Sequence, residues 1–248
     1  MITSRQNEQV KAARALFDKK SRDREGLFLA EGVKTAAEAL SFGGVKCIFG
    51  TEKGLNALEN AADLKGETVY AVTESVFESL SGEVSPQGVV AVVKKPAESF
   101  TPPQGNSVFL DGVADPANVG AVIRTAAAAG YNDLYLAACA DAYSPKSVRA
   151  SMGGIFRVRI HTGEREALAS SVNVPFYAAD MRGENVFTFV PAKKFCLVIG
   201  SEAHGVSDRM RALSQKCVSV PMEGGMESLN AAVAAGIIMY ALKHDSLS

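Results

Sequence analysis

The chain has no tryptophan, three histidines and four cysteines among 248 residues, and a formal net charge of -1. Each shortage excludes something. Cys47, Cys139, Cys196 and Cys217 lie far apart, and three of them sit in apolar, strand-like runs. That is the pattern of buried free thiols rather than of a disulfide framework, and it predicts a reducing compartment. His161, His204 and His244 have no cysteine or histidine at ligand spacing, so no metal site is expected. The longest apolar run, residues 231–242, is shorter than the roughly 20 residues that cross a bilayer, and the N-terminus lacks the apolar core of a signal peptide. The expectation is a cytoplasmic protein without a membrane partner. With so little net charge, any nucleic-acid partner must be met by a local basic patch, and no aromatic stripe marks single-strand stacking.

What is present is ordinary globular composition, 47% apolar and 21% charged, in alternating units. Strand-like runs at 27–32, 45–50, 68–73 and 88–94 alternate with helical ones at 33–42, 54–64 and 74–80, which predicts a small α/β domain over residues 1–95. Residues 96–106 hold three prolines and a glycine and read as a linker. A second α/β domain, with a mostly parallel sheet, is expected over 107–248. Its strands are predicted at 107–113, 133–140, 156–160, 174–180, 194–200 and 218–222. Asp115-Pro116 and Gly130 are start and stop signals for a helix between them.

The most informative stretch is 217–242. An apolar run is broken at Gly224 and Gly225, Ser228 stands where a helix cap is expected, and an almost wholly apolar helix follows. Such a helix must be covered on all sides, within the domain or by a second subunit. Ser228 and Asn230 are polar groups at the mouth of an apolar element, serving either as caps or as ligand contacts. The first crossover of this domain, DGVADPANVG, lacks the G-x-G-x-x-G of dinucleotide-binding domains, which disfavours a dinucleotide-dependent oxidoreductase. Glycines gather instead in IGSEAHG (199–205) and MEGGMES (222–228), where bare backbone can approach a small molecule.

Basic residues cluster twice. Residues 1–25 carry seven basic against four acidic side chains, and Lys11, Arg14, Lys19, Lys20, Arg22 and Arg24 share the face opposite Val10, Ala13, Leu16 and Phe17 on one expected helix over 7–24. Lys146, Arg149, Arg157 and Arg159 form the other cluster, with no acid in sequence between Asp141 and Glu164. Both admit a solvated surface and a phosphate-binding one.

Three blocks, LDGVADPANVGAVIRTAAAAG (110–130), CLVIGSEAHGVS (196–207) and VSVPMEGGMESLNAAVAAG (218–236), resemble in order and spacing the three motifs of the SpoU (TrmH-like) branch of the SPOUT RNA methyltransferases. SPKSVRASMGGIF (144–156) is similar to the family as well. ITSRQNEQVKAARAL with LFLAEGVK resembles an N-terminal RNA substrate-binding domain akin to kink-turn-binding ribosomal proteins. The resemblance implies a C-terminal α/β knot, a deep trefoil that is among the rare exceptions to unknotted topology. It further implies S-adenosylmethionine as cofactor, RNA as substrate and a homodimer with the active site near the subunit interface. Carried over by position, Ile199, Gly200, Val220, Met222 and Leu229 contact the cofactor, and Asn118, Arg124, Glu202, Ser228 and Asn230 form the polar active-site set.

The resemblance assigns proton removal from the ribose hydroxyl to Arg124. Deprotonating a guanidinium at pH 7 costs about 7 kcal/mol, so bidentate phosphate binding with concerted proton loss is the less costly role. Arg124 also lies six residues beyond Asn118, on another face of the helix and about 9 Å along it. The expected activity is methyl transfer to a ribose 2′-hydroxyl, of ribosomal RNA before transfer RNA. The alternative is a catalytically silent RNA-binding or ribosome-assembly factor with the same fold.

Overall fold

The opening basic segment forms two helices rather than the single one expected. Asn7 caps α1 (Glu8–Ala15) by accepting from the Gln9 and Val10 N–H groups, and Asp18 caps α2 (Lys19–Glu25) by accepting from Ser21. Between them the buried Arg22 donates to the carbonyls of Leu16 and Phe17 at 2.7 and 2.8 Å, satisfying groups that the end of α1 leaves open. Arg22 therefore leaves the solvent-facing basic row.

The computed structural model describes residues 1–97, 101–224 and 228–243. Residues 98–100 of the expected linker, Gly225 of the second glycine bend and His244 lie outside these. The chain divides into two units, Met1–Ala97 with Tyr143–Phe156, and Glu98–Ala142 with Arg157–Ser248.

In the first part of the chain β1 (Leu27–Glu31), α3 (Val33–Phe42), β2 (Val45–Gly50), α4 (Glu52–Glu59), β3 (Val69–Ala71), α5 (Glu74–Phe77) and β4 (Val89–Lys94) alternate as the pattern predicts. The sheet order is β1-β4-β2-β3, with β4 antiparallel to both neighbours and β2 parallel to β3. Val10 and Ala13 of α1 and Leu16 just after it pack with Leu29, Phe49, Phe77 and Val92 in the core of this unit.

The later elements are β5 (Ser107–Asp111), α6 (Pro116–Ala129), β6 (Asp133–Ala137), α7 (Pro145–Ser151), β7 (Arg159–Gly163), α8 (Arg165–Ser171), β8 (Phe176–Asn185), β9 (Cys196–Gly200), α9 (Asp208–Leu213), β10 (Ser214–Ser219) and α10 (Ala231–Ala241). The segment Tyr143–Phe156, which carries α7, packs within the first unit, where α7 lies against β1. Several boundaries differ from those predicted. A 3-10 turn over Gly154–Phe156 delays β7, β10 starts directly after α9 and ends at Ser219, and β8 continues past Asp180.

The sheet of the second unit runs β10-β8-β9-β5-β6-β7, and every neighbouring pair is parallel. All six C-terminal ends therefore lie along one edge, where Asp111 pairs in register with Gly200. As predicted, Asp115 caps α6, Pro116 opens it and Gly130 closes it in the left-handed region at φ 74°. The α10 helix packs on α6, and the Tyr131 hydroxyl donates to the Met239 carbonyl at 3.0 Å. Among the described residues α10 is covered on one side: Ala235, Ile238 and Met239 are buried, while Val233 and Tyr240 are 51% and 44% exposed.

Candidate active site at the C-terminal edge of the parallel sheet

Gly200 ends β9 where no larger residue fits. A Cβ there would stand 1.9 Å from the carbonyl carbon of Gly205, because the intervening loop folds straight back. Ser201 and Gly205 exchange both backbone hydrogen bonds, at 3.0 and 2.9 Å. This compact loop aims Glu202 at the start of α6. Asn118 Nδ2 donates to Glu202 Oε1 at 2.7 Å, and the Ala114 N–H donates to the other carboxylate oxygen at 3.3 Å. Asn230 Nδ2 donates in turn to Asn118 Oδ1 at 3.0 Å, while its own Oδ1 accepts from the Ala232 and Val233 N–H groups. One relay thus fixes both amides and joins the ends of three distant segments. The cap of α10 is Asn230, not Ser228 as expected, because only Asn230 reaches the first free N–H groups of that helix.

Burial alone would raise the Glu202 pKa; the bonds from Asn118 and from backbone N–H groups outweigh it, and the carboxyl ends below its ordinary value. Glu202 is accordingly an anion at neutral pH.

Beside the relay lies a cleft of about 380 Å³. Its apolar wall is Ile199, Val220, Met222, Leu229 and Ile238, its polar wall includes Ser201, Glu202, Ser219 and Ser228, and residues 179–182 complete it. Small-molecule sites span roughly 300–1,000 Å³ and pair apolar walls with a few placed polar groups. The residues fit S-adenosylmethionine: apolar sides for its base and thioether chain, and an ionised carboxylate suited to its positive sulfonium.

All five expected cofactor residues line this cleft, together with Glu202 and Ser228 of the polar set. Asn118 and Asn230 stand behind Glu202 in the relay. Arg124 belongs to neither; it lies exposed further along α6. Asp180, Met181, Arg182 and Arg211 also line the cleft and were not singled out. The signal available for the first three was the switch from apolar FYAA to polar DMRGEN, which marked the end of the predicted strand.

Of the expected RNA-contacting residues, Lys11 and Arg14 are exposed on α1, Lys146 is exposed on α7, and Arg157 is exposed before β7. Arg149 is committed to carboxylates. Its Nη1 lies 3.5 Å from the buried Glu31 and its Nε bonds Glu83, while Glu31 also accepts from the Ser81 hydroxyl and the Gly82 N–H. Arg159 is likewise engaged, holding the buried Asp133 with two bonds of 2.7 and 2.6 Å. The acids missing from the local sequence arrive from elsewhere in the fold.

The parallel α/β unit with its cleft at the strand ends has the fold of the α/β-knot class of S-adenosylmethionine-dependent RNA methyltransferases. Residues 105–240 match the model of the SpoU rRNA Methylase family, and residues 7–91 match an MRM3-like substrate binding domain. The chain belongs to the SpoU rRNA methylase family. It is 31% identical to the 23S rRNA (guanosine(2553)-2'-O)-methyltransferase RlmP of Bacillus subtilis over 98% of each chain. It is 32% identical to a 23S rRNA (uridine(2479)-2'-O)-methyltransferase of Streptomyces viridochromogenes, over 100% of this chain and 93% of that one. Among solved structures, an AdoMet-bound rRNA methyltransferase from Sinorhizobium meliloti superposes with a TM-score of 0.86 at 30% identity, covering 100% of this chain and 98% of that one.

Proposed function

We propose that the chain methylates a ribose 2′-hydroxyl of ribosomal RNA, with S-adenosylmethionine as donor. The observation that carries this reading is the Asn230–Asn118–Glu202 relay at the rim of a cleft sized for the cofactor. When bound, the cofactor supplies an electrophilic methyl group on a sulfonium. Everything else is positioning, and well-oriented reactants remove about 7–11 kcal/mol of barrier.

Ile199, Gly200, Val220, Met222 and Leu229 hold the cofactor. Glu202 is an anion kept in place by Asn118, and Ser228 faces the cleft as a donor and acceptor for the ribose. Arg124 grips the phosphate beside the reacting ribose, whose hydroxyl proton passes to solvent water. Since Arg124 does not line the cleft of its own chain, it serves the cleft of a second copy. The exposed apolar row of Val233 and Tyr240 on α10, packed beside α6, supports a homodimer built on these helices. Lys11, Arg14, Lys146 and Arg157 contact RNA phosphates. The four free cysteines support a reducing, cytoplasmic setting.

Purified protein incubated with methyl-labelled cofactor and ribosomal RNA, followed by alkaline hydrolysis, tests the reading. Label in an alkali-resistant dinucleotide is expected. Label absent from every RNA at all magnesium concentrations would instead favour a silent RNA-binding factor.

A further inference from the structure

The pairing of β8 with β10 contains a jump in register. Ala178 pairs with Cys217, but the next pair along is Glu184 with Val218, so residues 179–183 leave the ladder, and residues 179–182 form one wall of the cleft. The excursion is anchored at both feet. Gly183 closes it against β10, where a Cβ would stand 2.5 Å from the Val218 N atom, and the Ser219 hydroxyl donates to the Gly183 carbonyl at 2.9 Å. Asp180 braces the near side: one carboxylate oxygen accepts from the Arg182 N–H at 2.9 Å, and the other is bonded by Arg211.

These anchors leave one charge outward. Among the described residues lining the cleft, Glu202 is taken by Asn118 and Ala114, and Asp180 is taken by Arg211. Arg182 has only a marginal approach to Asp180, at 4.0 Å, and its side chain is 92% exposed. Its backbone is held by a hydrogen bond while its guanidinium points to solvent at the mouth of the site. A planar five-donor cation so placed suits a phosphodiester oxygen of a nucleic acid entering the cleft.

We propose that Arg182 is an RNA-binding residue, an anion receptor for the phosphate of a nucleotide at the mouth of the cofactor cleft. The excursion thereby carries two surfaces: residues 179–181 face the cofactor cleft, and Arg182 faces the incoming RNA. This inference rests on the reading of the cleft as the active site of an RNA methyltransferase. The competing anion is the carboxylate of the cofactor itself, and the two are separable by measurement.

The experiment compares full-length wild type with Arg182→Ala and Arg182→Lys. It measures steady-state methyl transfer to ribosomal RNA, the salt dependence of RNA binding, and cofactor affinity by calorimetry. Arg182→Ala is expected to raise the KM for RNA about tenfold, the worth of one charge-assisted hydrogen bond. It should also lower the slope of log K against log salt by about one and leave cofactor affinity within about twofold. Arg182→Lys should recover the salt slope. An unchanged KM and slope would overturn the proposal, as would a loss of cofactor affinity, which would assign the guanidinium to the cofactor carboxylate. A wild type that methylates no RNA defeats the underlying reading instead.

Discussion

Asn118 Nδ2 stands 2.7 Å from Glu202 Oε1, across 84 residues of sequence. Since Asn118 Oδ1 accepts from Asn230, its amide has a single orientation, and the Glu202 carboxylate receives a fixed donor rather than a rotating one. An amide that gives with one end and takes with the other is a precise way to hold an anion at a cleft.

Removing that amide should expose the dependence. Asn118→Ala takes away a donor that keeps the Glu202 carboxyl below its ordinary pKa, so that pKa rises. The acid limb of the methyl-transfer profile should then move to higher pH, and turnover should fall about 10- to 100-fold while the cofactor still binds. A pH–rate series on wild type and variant measures this; coincident acid limbs would remove Glu202 from the account.

Arg124→Ala should abolish methyl transfer and leave cofactor affinity intact. If Arg124 serves the cleft of a second copy, mixing Arg124→Ala chains with Glu202→Gln chains should restore transfer, because a mixed dimer holds one complete site. The recovered fraction as a function of mixing ratio is the readout. Mixtures as inactive as the separate variants would return Arg124 to its own cleft.

Gly200→Ala places a methyl group 1.9 Å from the Gly205 carbonyl carbon, a contact that only loop displacement relieves. Overpacking of this kind costs about 1–3 kcal/mol. The expected result is a lower thermal midpoint together with cofactor affinity reduced at least tenfold, measured by calorimetry. Gly205→Ala meets no neighbour within 4 Å, although its φ of 66° strains any side chain, so it should spare the cleft more than Gly200→Ala does.

Asp133 contributes to the response to acid. Burial pushes its pKa up, but His161, Arg159 and the Gln104 N–H prevail and lower it from 3.8 to about 2. A depressed carboxylate stabilises the fold above its unfolded pKa, here by about 2 kcal/mol, and this contribution is lost as pH falls from about 4 through about 2. Urea unfolding across that window should show the loss in wild type. Asp133→Asn should be less stable at neutral pH and flatter in acid; parallel curves for the two would contradict the assignment.

The sequence by itself determined the alternation of elements, the caps and stops of α6 and the late position of the glycine-bearing turns. These are local matters: backbone φ demands, orphan N–H groups at helix starts and short-period apolar patterns are written into neighbouring residues. Only the tertiary structure decided which charges are spent and which are available. Arg149, Arg159 and Arg22 look alike in sequence to Lys11 and Arg14, but Glu31, Glu83, Asp133 and the open carbonyls of α1 claim them from elsewhere in the chain. The wall formed by residues 179–182 was hidden for the same reason, since a register jump belongs to the pairing of two strands and to neither strand alone. Local order follows from near neighbours; electrostatic partnership and strand register are long-range, and they exist only once the chain has folded.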